Sequence, residues 1–269
     1  MAGRRVPRGF WLIAMVALGV SACSQGPSYT ATGTEISFGR QQLGTINPTA
    51  PGFADGLLGR RVSSSRDVGP MPRWQTVLAR FSEQRRLPNS TCAVEEGANC
   101  PLEVWKRLVD DLKTLPLRAR VERVNEIFNR VTYVPAEANW HDVAYWETPY
   151  EFLKHGGQCQ DYAIAKYLAL LESGVPEQDL RFVVVHDNQL QLDHAITVVD
   201  VDGTPLALDN QMRSVTPAES LQQRYSPYYA LNDLGWWPYM SSSAPRVAWQ
   251  PPTTNTSALF ASPFRVAKY

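Results

Sequence analysis

The chain has 269 residues, 44% of them hydrophobic, and carries 26 basic and 26 acidic side chains. Its length allows one domain with its own core plus flanking segments. The even charge balance leaves no basic footprint for nucleic acid.

Residues 1–22 read as an export signal. Arg4, Arg5 and Arg8 precede an apolar run from Phe10 to Val20, and the small residues Ser21 and Ala22 follow. Those 11 residues fall well short of the about 20 that a membrane span needs. Val20-Ser21-Ala22-Cys23 also resembles a bacterial lipobox, in which Cys23 becomes the lipidated first residue of the mature chain; plain cleavage after Ala22 is the alternative. Losing the signal removes three arginines from the 26 basic residues and no acid, leaving 23 against 26. Residues 23–69, rich in Ser, Gly and Pro, read as a tether, and 241–269 as a low-complexity tail, which leaves 70–240 for the folded domain. Export permits disulfides, so Cys92 and Cys100, flanking a short loop, are a plausible pair. With Cys23 set aside, Cys159 is then the odd thiol.

The domain opens with three amphipathic helices. Arg73 to Arg86 places Trp74, Val77, Leu78 and Phe81 on one face; Pro101 starts a helix with Leu102, Trp105, Leu108, Val109 and Leu112 inward; Pro116 opens a third with Val121, Val124, Ile127 and Phe128. Periodicity fails from Thr132 to Trp146, where Tyr133, Trp140, Tyr145 and Trp146 crowd a loop suited either to wall a cleft or to pack beneath itself. Thr148-Pro149-Tyr150-Glu151 has the pattern of a capping box and predicts a short helix through Lys154. Two glycines, 156 and 157, then break the chain before Gln158-Cys159-Gln160-Asp161, and Ile164, Tyr167, Leu168 and Leu171 follow at helical spacing. Cys159 therefore sits at a helix N-terminus. The unpaired amides and dipole there lower a thiol pKa from about 8.5 into roughly the 3.5–7.5 range and favour the nucleophilic thiolate. A cysteine beside a helix is also commonly just a small buried hydrophobe.

Beyond Gly174 the period changes to two. Leu180–His186 and His194–Val201 read as strands, Asp202-Gly203 as a two-residue hairpin turn, and Thr204–Asp209 as the return strand, giving helices followed by an antiparallel sheet, an α+β pattern. A two-residue turn pairs Val201 with Thr204 and, counting back, Ile196 with Asp209. Asp209 becomes the diagonal neighbour of His194, with backbones about 7–8 Å apart. A histidine that moves a proton and a carboxylate that fixes its tautomer are what an attacking cysteine requires. The same pair also serves as a satisfied polar contact at a sheet edge. His141 is the reserve candidate; His186 reads as surface, and His155 lies too near Cys159 in sequence to face it.

The residues around these three, Gly-Gly-Gln-Cys-Gln-Asp-Tyr-Ala-Ile-Ala-Lys-Tyr, Asp-His-Ala and Leu-Asp-Asn, together with Val124-Asn125-Glu126 and Tyr145-Trp146-Glu147-Thr148-Pro149, resemble the bacterial transglutaminase-like cysteine proteinases, the LapG-type periplasmic proteases. The resemblance runs from about Trp74 to Trp237. It implies a papain-like, transglutaminase-like α+β fold with catalytic Cys159, His194 and Asp209. It also implies a protein substrate such as a large surface adhesin, an inner-membrane regulatory receptor as partner, and a periplasmic location with Cys23 as a possible lipid anchor. The family's acidic, calcium-binding neighbours of the cysteine are replaced here by Gln158 and Gln160, so calcium is not expected and no cofactor is assigned. Two other functions fit the residues: an inactive envelope lipoprotein that binds a peptide or partner, and a transglutaminase-type acyltransferase.

Overall fold

The first helix begins where proline permits. In the computed structural model, which describes residues 51–53, 56–62, 71–87 and 99–239, α1 spans Pro72–Gln84, α2 Pro101–Lys113 and α3 Leu117–Phe128. Pro72 and Pro101 occupy first-turn positions, where a missing N–H costs nothing. Pro116 is instead the residue before α3. The expected loop contains one further short helix, α4, Ala136–Trp140. α5, Pro149–His155, starts with the expected capping box: the Glu151 amide donates to Thr148 Oγ1 (3.4 Å) and the Thr148 amide to Glu151 Oε2 (2.8 Å).

α6 runs Cys159–Glu172, and every residue from Cys159 to Leu170 is buried. A helix that is apolar nearly all round belongs inside a protein. The amphipathic stripe read from Ile164, Tyr167, Leu168 and Leu171 therefore understates its burial. The helices pack on one side of α6, in a core that includes Trp74, Phe81, Trp105, Val121, Phe128 and Phe152, and the sheet supplies Phe182, Val184, Ala195 and Val199 to the same core.

The sheet has six antiparallel strands: β1 Leu180–Asp187, β2 Leu192–Val201, β3 Thr204–Leu208, β4 Thr216–Pro217, β5 Tyr225–Asn232 and β6 Gly235–Pro238. Their spatial order is β4-β3-β2-β1-β5-β6. The hairpin has the expected register, with Val201 opposite Thr204 and Thr197 opposite Leu208. Gly203 has φ +81° and Asp202 φ +53°, as a two-residue turn matched to strand twist requires. β5 and β6 lie beyond the elements read from sequence. The opposite sheet face carries a second core, in which Phe53, Leu57 and Leu58 cover Val183, Ile196, Val198 and Ala207. These three residues come from the stretch read as a tether, so part of that stretch is integral packing: burying such side chains stabilises by about 1.5–3 kcal/mol each. The export signal, the lipobox, Cys92 and the tail from 241 lie outside the described residues.

Candidate active site

Two glycines deliver the chain to Cys159 by close approach. Gly156 has φ +74°, and a Cβ there would meet the Thr132 carbonyl oxygen at 2.3 Å; a Cβ on Gly157 would meet Asp161 Oδ2 at 2.8 Å. The Gly157 amide donates to the Thr132 carbonyl (3.3 Å) and the Val134 amide to the Gly157 carbonyl (3.0 Å), which fastens the turn to the segment after α3.

Asp161 holds the start of α6. Its Oδ2 accepts from the Gln158 amide (2.8 Å) and its Oδ1 from the Glu147 amide (2.8 Å), while Gln160 Nε2 reaches Oδ2 (3.2 Å) and Gln158 Oε1 (3.2 Å). Burial, and then the charge of Glu147, push the Asp161 carboxyl well above the usual range. Burial also raises Glu147, whose Oε1 accepts from Trp140 Nε1 (2.6 Å) and Asn139 Nδ2 (3.1 Å). Most of the aromatic loop thus rests on polar scaffolding: Trp140 stacks on Tyr145 (4.5 Å), Arg80 lies over Tyr145 (4.5 Å), and Arg80 pairs with Glu151 at 2.8 Å. Tyr133 is exposed and flanks Gly157.

Cys159 is the first residue of α6 and is buried, with its sulfur 3.7 Å from Gln160 Oε1. Cys100 and Cys159 are both disulfide-bonded, and no described cysteine is free. This corrects the expectation of an odd thiol at Cys159. The odd count held only with Cys23 set aside, whereas the chain has four cysteines, an even number. A sulfur in a disulfide is not a nucleophile, so attack by Cys159 requires reduction first.

His194 and Asp209 are brought together. His194 Nε2 lies 2.8 Å from Asp209 Oδ1, and both side chains are almost wholly buried. Asp209 Oδ1 also accepts from the Gln211 amide (2.8 Å), and Oδ2 from the Tyr225 hydroxyl (2.5 Å). Burial alone would raise the Asp209 carboxyl; the His194 charge and the hydrogen bonds from His194, Tyr225 and Gln211 outweigh it and hold the group far below the usual carboxylate range. Burial, then Asp209, push Tyr225 far upward, so it stays a donor. With Nε2 committed to Asp209, His194 Nδ1 is the nitrogen left for proton exchange; Gln211 Nε2 lies 3.5 Å from it. β2 packs on α6, and Thr197 Oγ1 donates to the Ala163 carbonyl (2.6 Å). Strand alternation sets Ala195, Thr197 and Val199 toward that core and His194 with Ile196 and Val198 on the other face.

The other histidines stand apart from Asp209. His141 is exposed with φ +53° at the end of α4, His155 is exposed against Trp140, and His186 pairs with Asp193 (3.2 Å). Tyr225 escaped the sequence reading because it reaches Asp209 from β5 by long-range packing; Gln211 escaped it although its amide closes a local Asx turn on Asp209.

The family profile described as bacterial transglutaminase-like cysteine proteinase matches residues 91–244, more than half of the chain. LapG of Legionella pneumophila is 27% identical over 60% of this chain and 87% of its own, with a TM-score of 0.47; its calcium-bound form gives 27% over 62% and 91%, with a TM-score of 0.48. No curated protein matches. The groups beside Cys159 do not fit a calcium ion. Both Asp161 oxygens are spent on backbone amides, the two glutamine amides bond each other, and no group of three His, Cys, Asp or Glu side chains among the described residues is placed to hold a metal.

Proposed function

The chain belongs to the bacterial transglutaminase-like cysteine proteinase family, and we infer from that premise that it cleaves a peptide bond in a cell-envelope or surface protein with Cys159, His194 and Asp209. It is a cysteine peptidase of papain-like α+β fold. The observation that carries the site assignment is the buried His194–Asp209 pair, because its hydrogen bond commits Nε2 and leaves Nδ1 to serve a thiol.

In this reading, reduction frees the Cys159 sulfur to reach His194 Nδ1 near the start of β2; it gives that nitrogen its proton and attacks the scissile carbonyl carbon. Backbone amides at the positive end of α6, beside the sulfur, stabilise the oxyanion. The C–N bond breaks as His194 returns the proton to the leaving amine. Water, deprotonated by the same nitrogen, then attacks the thioester, releasing the acid and regenerating the thiol. Asp209 keeps the imidazole in the required tautomer and stabilises it when protonated. An exported location follows from the Arg-led apolar signal at 1–22. The substrate class, a large surface adhesin, and an inner-membrane regulatory receptor are the partners the family resemblance suggests.

Surface and envelope proteins incubated with the reduced enzyme should acquire new N-termini that are missing when Cys159→Ala replaces it. Identical fragments from both proteins would overturn the reading. The mass of the mature N-terminus distinguishes lipidated Cys23 from plain cleavage after Ala22.

A further inference from the structure

Lys166 is wholly buried in α6, one of the costliest places for an ammonium group. It donates to Asn125 Oδ1 (2.9 Å) and Asn129 Oδ1 (2.6 Å), both on or just beyond α3. An ammonium offers donors only, so it turns both amide oxygens toward itself. Both Nδ2 groups must then point away, and they meet the segment that follows β3. Asn129 Nδ2 donates to the carbonyls of Asp209 (3.0 Å) and Met212 (2.8 Å), and Asn125 Nδ2 lies 3.4 Å from those of Met212 and Arg213. A buried cation at the centre of the nucleophile helix thus sets the direction of two amides that grip the turn carrying the carboxylate.

We propose that Lys166 is a positioning residue for Asp209: through Asn125 and Asn129 it fixes the 209–213 turn, and so the contact of Asp209 with His194, relative to α6. This rests on the triad reading above. Burial lowers the Lys166 ammonium to about 7, against which the Asp209 charge raises it.

The test is iodoacetamide alkylation of Cys159 in the reduced protein, followed by peptide mass across pH, beside thermal melting. Asp209→Asn is the reference. Loss of the carboxylate should slow alkylation at pH 6 by about tenfold, the effect of one pKa unit on thiolate supply. Lys166→Met, which keeps the volume and removes the donors, should shift the profile in the same direction. Asn129→Asp covers the case in which Lys166→Met does not fold. It keeps an acceptor for Lys166 but sets an oxygen against the carbonyls of Asp209 and Met212, so it should lower the melting midpoint and, in the protein that remains folded, still slow alkylation. A role confined to stability predicts the reverse, a wild-type profile in every variant that folds. If Asp209→Asn shifts the profile while Lys166→Met and Asn129→Asp keep it, the Lys166 proposal is wrong and the triad stands. If Asp209→Asn itself keeps the wild-type profile, the triad reading fails and this proposal falls with it.

Discussion

Asp209 has no exposed surface, yet it stays ionised because two donors and an imidazole converge on it. A carboxyl whose folded pKa lies below its unfolded value stabilises the protein above the unfolded pKa, and that stability is lost as pH falls through the folded one. The stability gap between wild type and Asp209→Asn should therefore be constant near neutral pH. It should shrink by on the order of 2–3 kcal/mol as pH is lowered through and below the ordinary carboxylate range. Denaturant melts at stepped pH check this, and a gap independent of pH would contradict it. The same substitution should cost about 10⁴-fold in rate by placing the imidazole in the wrong tautomer. His194 and Asp209 were legible in the sequence because one hairpin turn fixes their register. Lys166 and Tyr225 were not, since each reaches the site from an element set by long-range packing.

Gly156 makes the entry to α6 an element that a single methyl group would disturb. Gly156→Ala forces a positive φ on a side chain aimed at the Thr132 carbonyl, so it should destabilise by about 1–3 kcal/mol and reduce alkylation of Cys159. The helices were legible from their apolar spacing and prolines, and the β2–β3 hairpin from Asp202-Gly203. β5 was hidden by Pro227, which reads as a strand breaker. The fold tolerates it because Pro227 sits at the bulge opposite Val185 and because β6 pairs only with Tyr229–Asn232, leaving that side of β5 an edge. The 51–62 stretch looked like spacer because Phe53, Leu57, Leu58 and Val62, set among glycines and arginines, show no period. Leu57→Ala should nevertheless cost about 2–5 kcal/mol in a melt, as a core truncation does. An unchanged melting midpoint would return that stretch to the tether.

For the whole molecule, α6 is the axis between two bodies of structure: the helices that anchor Lys166 and the Gly156 turn, and the sheet that carries His194 and Asp209. With Asp161 occupied by backbone amides, millimolar calcium should leave the melting midpoint unmoved, whereas a site filled at a hundredfold excess over its Kd would add about 2.7 kcal/mol. A rise reversed by chelator would show that the glutamines still bind the ion. The most direct measurement of the site is where a peptidyl chloromethyl ketone reacts with the reduced protein, read by peptide mass in wild type and His194→Ala. The expected result is a single label on Cys159 that is nearly lost without His194. A label on another cysteine, or undiminished labelling of Cys159 in His194→Ala, would contradict the proposed site.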